Sequence, residues 1–324
     1  MKTMFILIKR NIKMFFKDKG AFFGTFISPA ILLVLYVTFL GNVFRDSLVQ
    51  NVPSFIKLSE DVVDGFVAGQ LISSIIAVTS VTVAFSTNFL MVQDKANRTS
   101  HDFDVSPTKS HILSLSYYIA SIVASLMICF VTLAICLVYA AIVGWYMTAV
   151  DVVLLFVDVI ILVLFGTALS SVINFFLSTQ GQLTAVNMIV GVCYGFICGA
   201  YMPMSEFGEG LQKVLGFFPS TYITSIVRNH AMGGAIEAMA EEMTKSANSE
   251  MTKELINEFR DAFDCNLYFF GDKVSTPVMY GVVCGTIVVL LGVYVLLNVI
   301  KSKNPNFGVI QKKPKKSKEV KETK

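Results

Sequence analysis

The chain has 324 residues, of which 54% are hydrophobic and only 15% are charged, and its mean hydropathy is +0.67. A soluble domain has about a quarter of its residues charged, so this composition excludes a soluble fold. The net charge of +3 is small and the basic residues stand beside apolar segments, which argues against nucleic acid as a partner. The six cysteines form no CxxC pair and indicate neither a zinc site nor a disulfide framework.

The segment before the first apolar block, residues 1–19, is predicted to be a basic amphipathic helix. Its apolar and basic residues recur at helical spacing on two different faces: Phe5, Ile8, Ile12 and Phe15 on one, Lys9, Lys13 and Lys17 on the other. A helix of this kind lies in the membrane interface near anionic headgroups. An unordered basic flank is the alternative, and the periodicity favours the helix.

Six apolar segments are long enough to cross a bilayer, which takes about 20 apolar residues. They are residues 20–44, 66–92, 112–143, 152–177, 183–202 and 278–300. The predicted fold class is therefore an all-α membrane protein with six transmembrane helices. Between the fifth and sixth segments, residues 211–231 suit short helices dipping into the outer membrane face. Residues 236–263 suit one or two acidic amphipathic helices.

Lysine and arginine concentrate in the N-terminal arm, in the loop after the second span and in the tail from residue 301. The loops at 45–65 and 144–151 are acidic or carry no basic residue. Cytoplasmic loops carry an excess of Lys and Arg. The chain is therefore predicted to cross the cell (plasma) membrane several times with both termini in the cytoplasm.

The sequence contains no GxxxxGK[ST] loop, no HExxH and no GxSxG, so the chain is not predicted to be an enzyme. No metal site or cofactor is expected in it, and if ATP drives the protein, another chain binds it. The three histidines are scattered, and each is expected to be a surface residue rather than a ligand or a base: His101, His111 and His230.

Polar residues inside the spans are candidates for a translocation path. Asp158 lies two turns inside the fourth span, about 10 Å deep, where an ionisable group is costly and faces protein or water. It could contact a cation or substrate, or it could anchor a neighbouring helix; both remain open. The second span is rich in Ser and Thr, and Ser80, Asn88 and Asn174 complete the candidate path.

The fifth span carries Gly191, Gly195 and Gly199 four residues apart. Small residues at this spacing let helix backbones approach closely in lipid. The stripe predicts either a subunit interface or packing inside the chain.

Two further stretches contain short motifs whose order along the chain is informative. Residues 93–107, between the second and third spans, contain Ser-His-Asp-Phe at positions 100–103 and end in Ser106-Pro107. After the fifth span come Pro203, Pro219, Tyr222 and Arg228. Together with the basic helix and the six spans, this order resembles the membrane subunit of type-2 ABC exporters, the drug and polysaccharide exporter class, over nearly the whole chain.

The resemblance implies roles for these residues. Those that would couple the chain to an ATPase subunit are Asp94, Arg98, Asp102, Phe103, Ser106 and Pro107. The outer loop signature would be Pro203, Pro219, Tyr222 and Arg228. Because the fifth helix of that class lies near the dimer seam, the resemblance favours a subunit interface for Gly191, Gly195 and Gly199.

The resemblance also implies a function. The chain would be the permease subunit of an ATP-driven exporter for a hydrophobic or amphipathic substrate such as a drug, antibiotic, peptide or lipid-like molecule. Its partners would be an ABC ATPase subunit, which holds ATP and Mg²⁺, and a second permease copy or a homologous permease in the lipid bilayer. The alternatives are an ion- or proton-coupled transporter using Asp158, and a membrane sensor or scaffold whose extracellular segment binds a partner.

The predicted organisation has five parts. Residues 1–19 form the cytoplasmic helix and 20–202 the first five spans, with a cytoplasmic coupling loop at 93–111. Residues 203–276 form the extracellular segment, 277–300 the sixth span and 301–324 a basic cytoplasmic tail.

Overall fold

The structure, a computed structural model, describes residues 2–53, 55–97, 99, 110–246 and 248–304. The first helices are α1 Lys2–Lys17, α2 Lys19–Leu35, α3 Gly41–Asn51, α4 Glu60–Thr87 and α5 Phe89–Ala96, and a π-helix, Tyr36–Leu40, joins α2 to α3. The later helices are α6 Ser110–Val143, α7 Ala149–Phe175, α8 Gln180–Ile197, α9 Glu209–Leu215, α10 Pro219–Ser246, α11 Ser249–Ala262 and α12 Thr276–Lys303. Two short antiparallel strands, β1 Tyr268–Phe269 and β2 Asp272–Lys273, lie between α11 and α12.

Five helical segments in the described part of the chain are long and apolar enough to cross a membrane: Lys19–Gln50, Glu60–Ala96, Ile112–Val143, Ala149–Phe175 and Thr276–Lys301. The all-α membrane class is therefore confirmed. The predicted fifth span corresponds to α8, whose 18 residues include Gln180, Gln182 and Asn187, and it is not among these five. The count of six spans is thus not confirmed, and α8 ends at Ile197, five residues before the predicted end of the span.

Helix α4 forms the centre of the bundle. In its most apolar 18-residue stretch 89% of the residues are buried, against 17% in the corresponding stretch of α12. It packs against α2, α6, α7, α8 and α10. The polar second span is therefore enclosed by other helices of the same chain, and α12 presents apolar residues outward, as a lipid-facing helix does.

Helix α10 is one helix of 28 residues, where the sequence led us to expect short helices ending near residue 231. It packs against α4, α7 and α12. A Cβ on Gly69 of α4 would lie 2.6 Å from the carbonyl oxygen of Ala231, so the two backbones meet directly at this glycine. The backbone N–H and hydroxyl of Ser59 donate to the carboxylate of Glu242, at 2.8 and 2.7 Å. Helix α10 therefore covers one end of α4.

Helix α1 packs mainly against α6. Its buried residues are Leu7, Asn11 and Phe15, whereas Phe5 is exposed. The predicted helix is present. The face that it turns to the protein shares only Phe15 with the apolar stripe predicted for the membrane side.

Candidate coupling and translocation site

An ion-pair cluster joins the first helix to the end of α5. Arg10 Nη1 donates to Asp94 Oδ2 at 2.7 Å and Arg10 Nη2 to Asp94 Oδ1 at 3.3 Å. The hydroxyl of Tyr117, on α6, donates to the same Oδ2 at 2.5 Å. Burial lowers the pKa of Arg10, but its hydrogen bond with Asp94 and that carboxylate's charge more than offset this and raise it. One carboxylate thus holds three helices together; we call this group the inner clamp.

The inner clamp changes the role expected for Asp94. Its side chain is buried and every described contact is within the chain. A buried carboxylate needs partners, and this one finds them on two other helices of its own chain. Asp94 thus fixes the start of the predicted coupling segment against α1 and α6.

The next residue, Lys95, makes a second attachment that the sequence did not reveal. Its ammonium donates to the carbonyl oxygens of Phe175 and Asn174, at 2.9 and 3.3 Å. These carbonyls close the C-terminal end of α7, where the helix dipole favours a cation. The end of α5 is therefore attached to α1 and α6 by one residue and to α7 by its neighbour.

The remaining coupling residues, Arg98, Asp102, Phe103, Ser106 and Pro107, lie outside the described residues. So does His101. Their roles stay predictions.

The candidate path residues lie inside the packed bundle. The amide nitrogen of Asn88 donates to the hydroxyls of Ser170 and Ser171 at 3.0 and 2.8 Å, which joins α4 to α7. Ser80 and Asn174 are fully buried, and within the described part of the chain their side-chain polar atoms have no hydrogen-bond partner. No path is therefore open along these residues in this conformation.

Asp158 is held by two helices besides its own. Its Oδ2 lies 2.6 Å from Nδ1 of His230 on α10, and its Oδ1 accepts a hydrogen bond from the hydroxyl of Tyr280 on α12 at 2.8 Å. The Asp158 side chain has no exposed surface and that of His230 is 15% exposed. The structure favours the anchor interpretation, and the expectation that His230 is a surface residue is wrong because α10 lies inside the bundle.

One residue of the outer loop signature, Arg228, forms a second buried ion pair. Arg228 Nη1 donates to Asp264 Oδ2 at 2.8 Å, and Arg228 Nη2 donates to the carbonyl oxygen of Gly199. The backbone N–H of Met204 donates to both carboxylate oxygens of Asp264. Burial raises the pKa of Asp264, while Arg228 and the N–H of Met204 lower it. We call this group the outer clamp.

The other signature residues shape the chain around the outer clamp. Pro203 precedes a short 3₁₀ turn, Met204–Glu206, and Pro219 is the first residue of α10. Proline suits a first helical position because its missing N–H has no partner there. The hydroxyl of Tyr222 donates to the carbonyl oxygen of Gly216 at 2.7 Å. The signature is therefore a set of loop and helix-start contacts around α10.

The glycines predicted as one interface have three different surroundings. A Cβ on Gly191 would meet no atom within 4 Å, whereas one on Gly195 would clash with the ring of Tyr201 in the same chain. Gly199 lies beyond the end of α8 with φ of +69°, a conformation that favours glycine. The prediction of one continuous glycine face along the helix is therefore wrong, because Gly199 lies beyond the end of α8.

Close helix packing occurs instead at glycines that the sequence did not single out. Besides Gly69, a Cβ on Gly166 of α7 would lie 3.1 Å from the Cα of Val81 and 3.2 Å from the carbonyl oxygen of Ser80. Helices α4 and α7 therefore touch backbone to backbone. A regular spacing was the signal used in the sequence, and an isolated glycine gives no such signal.

The bundle defines the chain as an all-α integral membrane protein with a polar helix at its centre. The family model of the ABC-2 family transporter proteins matches residues 44–300, and the chain belongs to that family. The resemblance to the ABC permeases is confirmed, and the chain is a membrane transport component rather than itself an enzyme. No curated protein sequence matches the chain. Among the described residues, no group of three or more His, Cys, Asp and Glu side chains could hold a metal.

Proposed function

We propose that the chain is the membrane-spanning permease subunit of an ATP-driven exporter. ATP and Mg²⁺ bind to a separate ATPase subunit, a second permease copy completes the transporter, and both termini of the chain lie in the cytoplasm. Family membership supports the transport role. The inner clamp carries the coupling role, because its side chains attach the start of the predicted coupling segment to α1 and α6.

Asp94 and its neighbour Lys95 are bonded to different helices, so a movement of the coupling segment would reach three helices of the bundle. A displacement of α5 acts on α1 and α6 through Asp94 and on the C-terminal end of α7 through Lys95. Helix α7 meets α4 through Gly166 and through the bonds of Asn88 to two serines. An ATPase that moves α5 would therefore shift α7 against α4.

The interface between α4 and α7 supports an amphipathic cargo. It contains Asn88 and two serines, and the unpaired hydroxyls of Ser80 and Thr167 lie on the same two helices, among apolar residues of the main core. Separating α4 from α7 would expose polar side chains and apolar core residues side by side. A molecule with one apolar and one polar part would satisfy both.

The test is purification of the tagged full chain from its native membrane, with mass spectrometry of whatever chains remain bound. A bound chain with a GxxxxGK[ST] motif, together with ATP hydrolysis that depends on the permease, is the expected result. Phe103→Asp should abolish that hydrolysis. The matched control is Phe55→Asp, an exposed phenylalanine in the loop before α4, at the opposite end of that helix. Absence of any such ATPase, or equal activity of the two variants, would overturn the proposal.

A proton- or ion-coupled transporter using Asp158 is the second candidate, because a carboxylate, a histidine and a tyrosine are bonded together. It requires transport without nucleotide that Asp158→Asn abolishes. The enclosed carboxylate, bonded on both oxygens, favours an anchor instead. Nucleotide-dependent transport that survives in Asp158→Asn at a reduced rate is the outcome expected for the exporter.

The scaffold alternative required an outer segment that can be removed without harm to the bundle. The ring of Phe263 packs against Phe66 of α4 at a centroid distance of 4.8 Å and against Phe44 at 6.0 Å. Deletion of residues 236–263 would also remove Glu242 from the start of α4. We therefore expect this deletion to unfold the bundle rather than to separate signalling from folding.

A further inference from the structure

Three phenylalanines form an exposed cluster around the hairpin between α11 and α12: Phe217, Phe269 and Phe270. The ring of Phe217 lies 5.3 Å from that of Phe269 and 5.9 Å from that of Phe270, and the last two are 4.8 Å apart. These are edge-to-face pairs, the arrangement that aromatic rings prefer. We call the cluster the aromatic cap.

The turn at the tip of the hairpin is unusual in its sequence. Phe270 and Gly271 are its two central residues, with φ of +51° and +98°. A two-residue turn with both φ values positive favours Asn-Gly, and a bulky residue rarely adopts the first of them. The Phe270 side chain is nevertheless 66% exposed, so the fold gains no packed core from it. Backbone strain that presents an exposed ring points to a role outside the fold.

A cavity of about 300 Å³ lies beneath the cap. Met204, Phe269 and Phe270 supply an apolar wall, and Glu209 and Lys213 stand at the polar side. An apolar cavity with a few charged groups at its edge, of about 300 Å³ or more, is typical of small-molecule sites.

The cap lies where the chain enters the membrane. Strand β2 ends at Lys273, and α12, one of the apolar helices long enough to cross a bilayer, begins at Thr276. Val278 in the first turn of α12 is exposed, as are Leu211 and Val214 of α9, so the elements beside the cap also expose apolar side chains. Aromatic side chains concentrate at the level of lipid headgroups.

We propose that the aromatic cap inserts into the adjacent leaflet and that the cavity beneath it holds the acyl chain of a phospholipid, with the lipid phosphate at Lys213. Glu209 and Lys213 form an exposed ion pair, with 4.0 Å between Oε2 and Nζ, that offers a zwitterionic headgroup both charges. Both residue types are depleted at the centre of protein interfaces. A lysine can keep its ammonium at the headgroup level while its stem lies along apolar surface. The inference does not depend on the proposed exporter role.

The test uses the single tryptophan of the sequence, Trp145. Trp145→Phe removes it, and Phe270→Trp then places the only tryptophan at the tip of the cap in the full chain. The protein is reconstituted without nucleotide in phosphatidylcholine vesicles with brominated acyl chains, and iodide is the water-soluble quencher. A matched reporter is Glu250→Trp on the exposed start of α11. Brominated lipid should quench the tryptophan at position 270 about twofold or more strongly than the one at position 250. Iodide should instead quench the tryptophan at position 250 more strongly.

Two variants keep the result interpretable. Phe270→Asn gives the hairpin its preferred turn residue, so it should fold at least as well in detergent but retain less bound phospholipid in native mass spectrometry. If Phe270→Trp fails to fold, Phe217→Trp is the second reporter. Iodide quenching equal to that at position 250 would overturn the proposal. So would protection from both quenchers, which would indicate a second copy of the chain over the cap, and unchanged lipid retention in Phe270→Asn.

Discussion

The inner and outer clamps are both arginine–aspartate pairs, yet they differ in what they hold. In the inner clamp the side chains of Arg10, Asp94 and Tyr117, on three helices, bond to one another, and the Arg10 side chain is partly exposed. In the outer clamp both charged groups are buried and also bind backbone, the carbonyl of Gly199 and the N–H of Met204. Side-chain contacts can be exchanged without remaking the chain path, whereas backbone contacts define it. We infer that the outer clamp fixes the fold and that the inner clamp transmits movement.

The largest effect is expected from breaking the outer clamp. Arg228→Met leaves the buried Asp264 carboxylate without its cation and should cost about 3–5 kcal/mol of stability. Without Arg228 the pKa of Asp264 rises further above its unfolded value, so the variant should regain stability as pH falls below that raised pKa. Thermal unfolding in detergent at several pH values checks both. Lys253→Met on the exposed face of α11 is the control, and an equal loss in it would contradict the prediction.

Breaking the inner clamp should separate coupling from stability. Asp94→Asn keeps the shape of the side chain but removes the charge that holds Arg10, at a cost of about 1.5 kcal/mol. The fold should persist, while hydrolysis by the ATPase no longer drives transport in proteoliposomes. Tyr117→Phe, which removes one hydrogen bond and leaves the ion pair, should show an intermediate loss. Full transport in Asp94→Asn would show that the inner clamp is only structural.

Alanine substitutions at two glycines also test which positions define the path of the chain. Gly199→Ala requires a positive φ and places a Cβ 2.8 Å from the Asp264 carboxylate, so we expect a loss of about 1–2 kcal/mol. Gly191→Ala lies in open space within a helix and should instead gain about 0.5–1 kcal/mol. Unfolding measurements give the stabilities and chemical cross-linking in membranes gives the dimer fraction. A weakened dimer in Gly191→Ala would restore an interface role to that position.

The smallest effect is expected at Asp158. Tyr280→Phe removes one of its two hydrogen bonds and should cost about 0.5–1.5 kcal/mol, because the bond to His230 remains. Transport should fall little. A complete loss of transport with the fold intact would indicate that the Asp158 cluster takes part in movement of the cargo.

The sequence predicted the apolar helices well because length and hydropathy are properties of one segment. It also identified Asp158 as unusual and named Gly199 and Arg228 in two separate predictions, and the structure brings these two residues into contact. The boundary of α8 was misplaced because apolar residues continue through the turn after Ile197.

What the sequence missed depends on partners far along the chain. His230 is 72 residues from Asp158, and its segment was predicted to form short helices at the outer membrane face rather than part of a 28-residue helix inside the bundle. Lys95 resembled an ordinary basic flank, since its partners are backbone carbonyls of α7, which have no signature in a sequence. Single glycines such as Gly166 make close contacts without any periodic signal.

The enclosed position of α4 has a consequence for biogenesis. This helix is synthesised before α6, α7, α8 and α10, the helices that cover most of its surface. Its serines and threonines must therefore remain shielded by the insertion machinery, or by water, until the later helices have left the ribosome. A chain truncated before α10 would hold a half-covered polar helix in lipid, and we expect quality-control proteases to remove it.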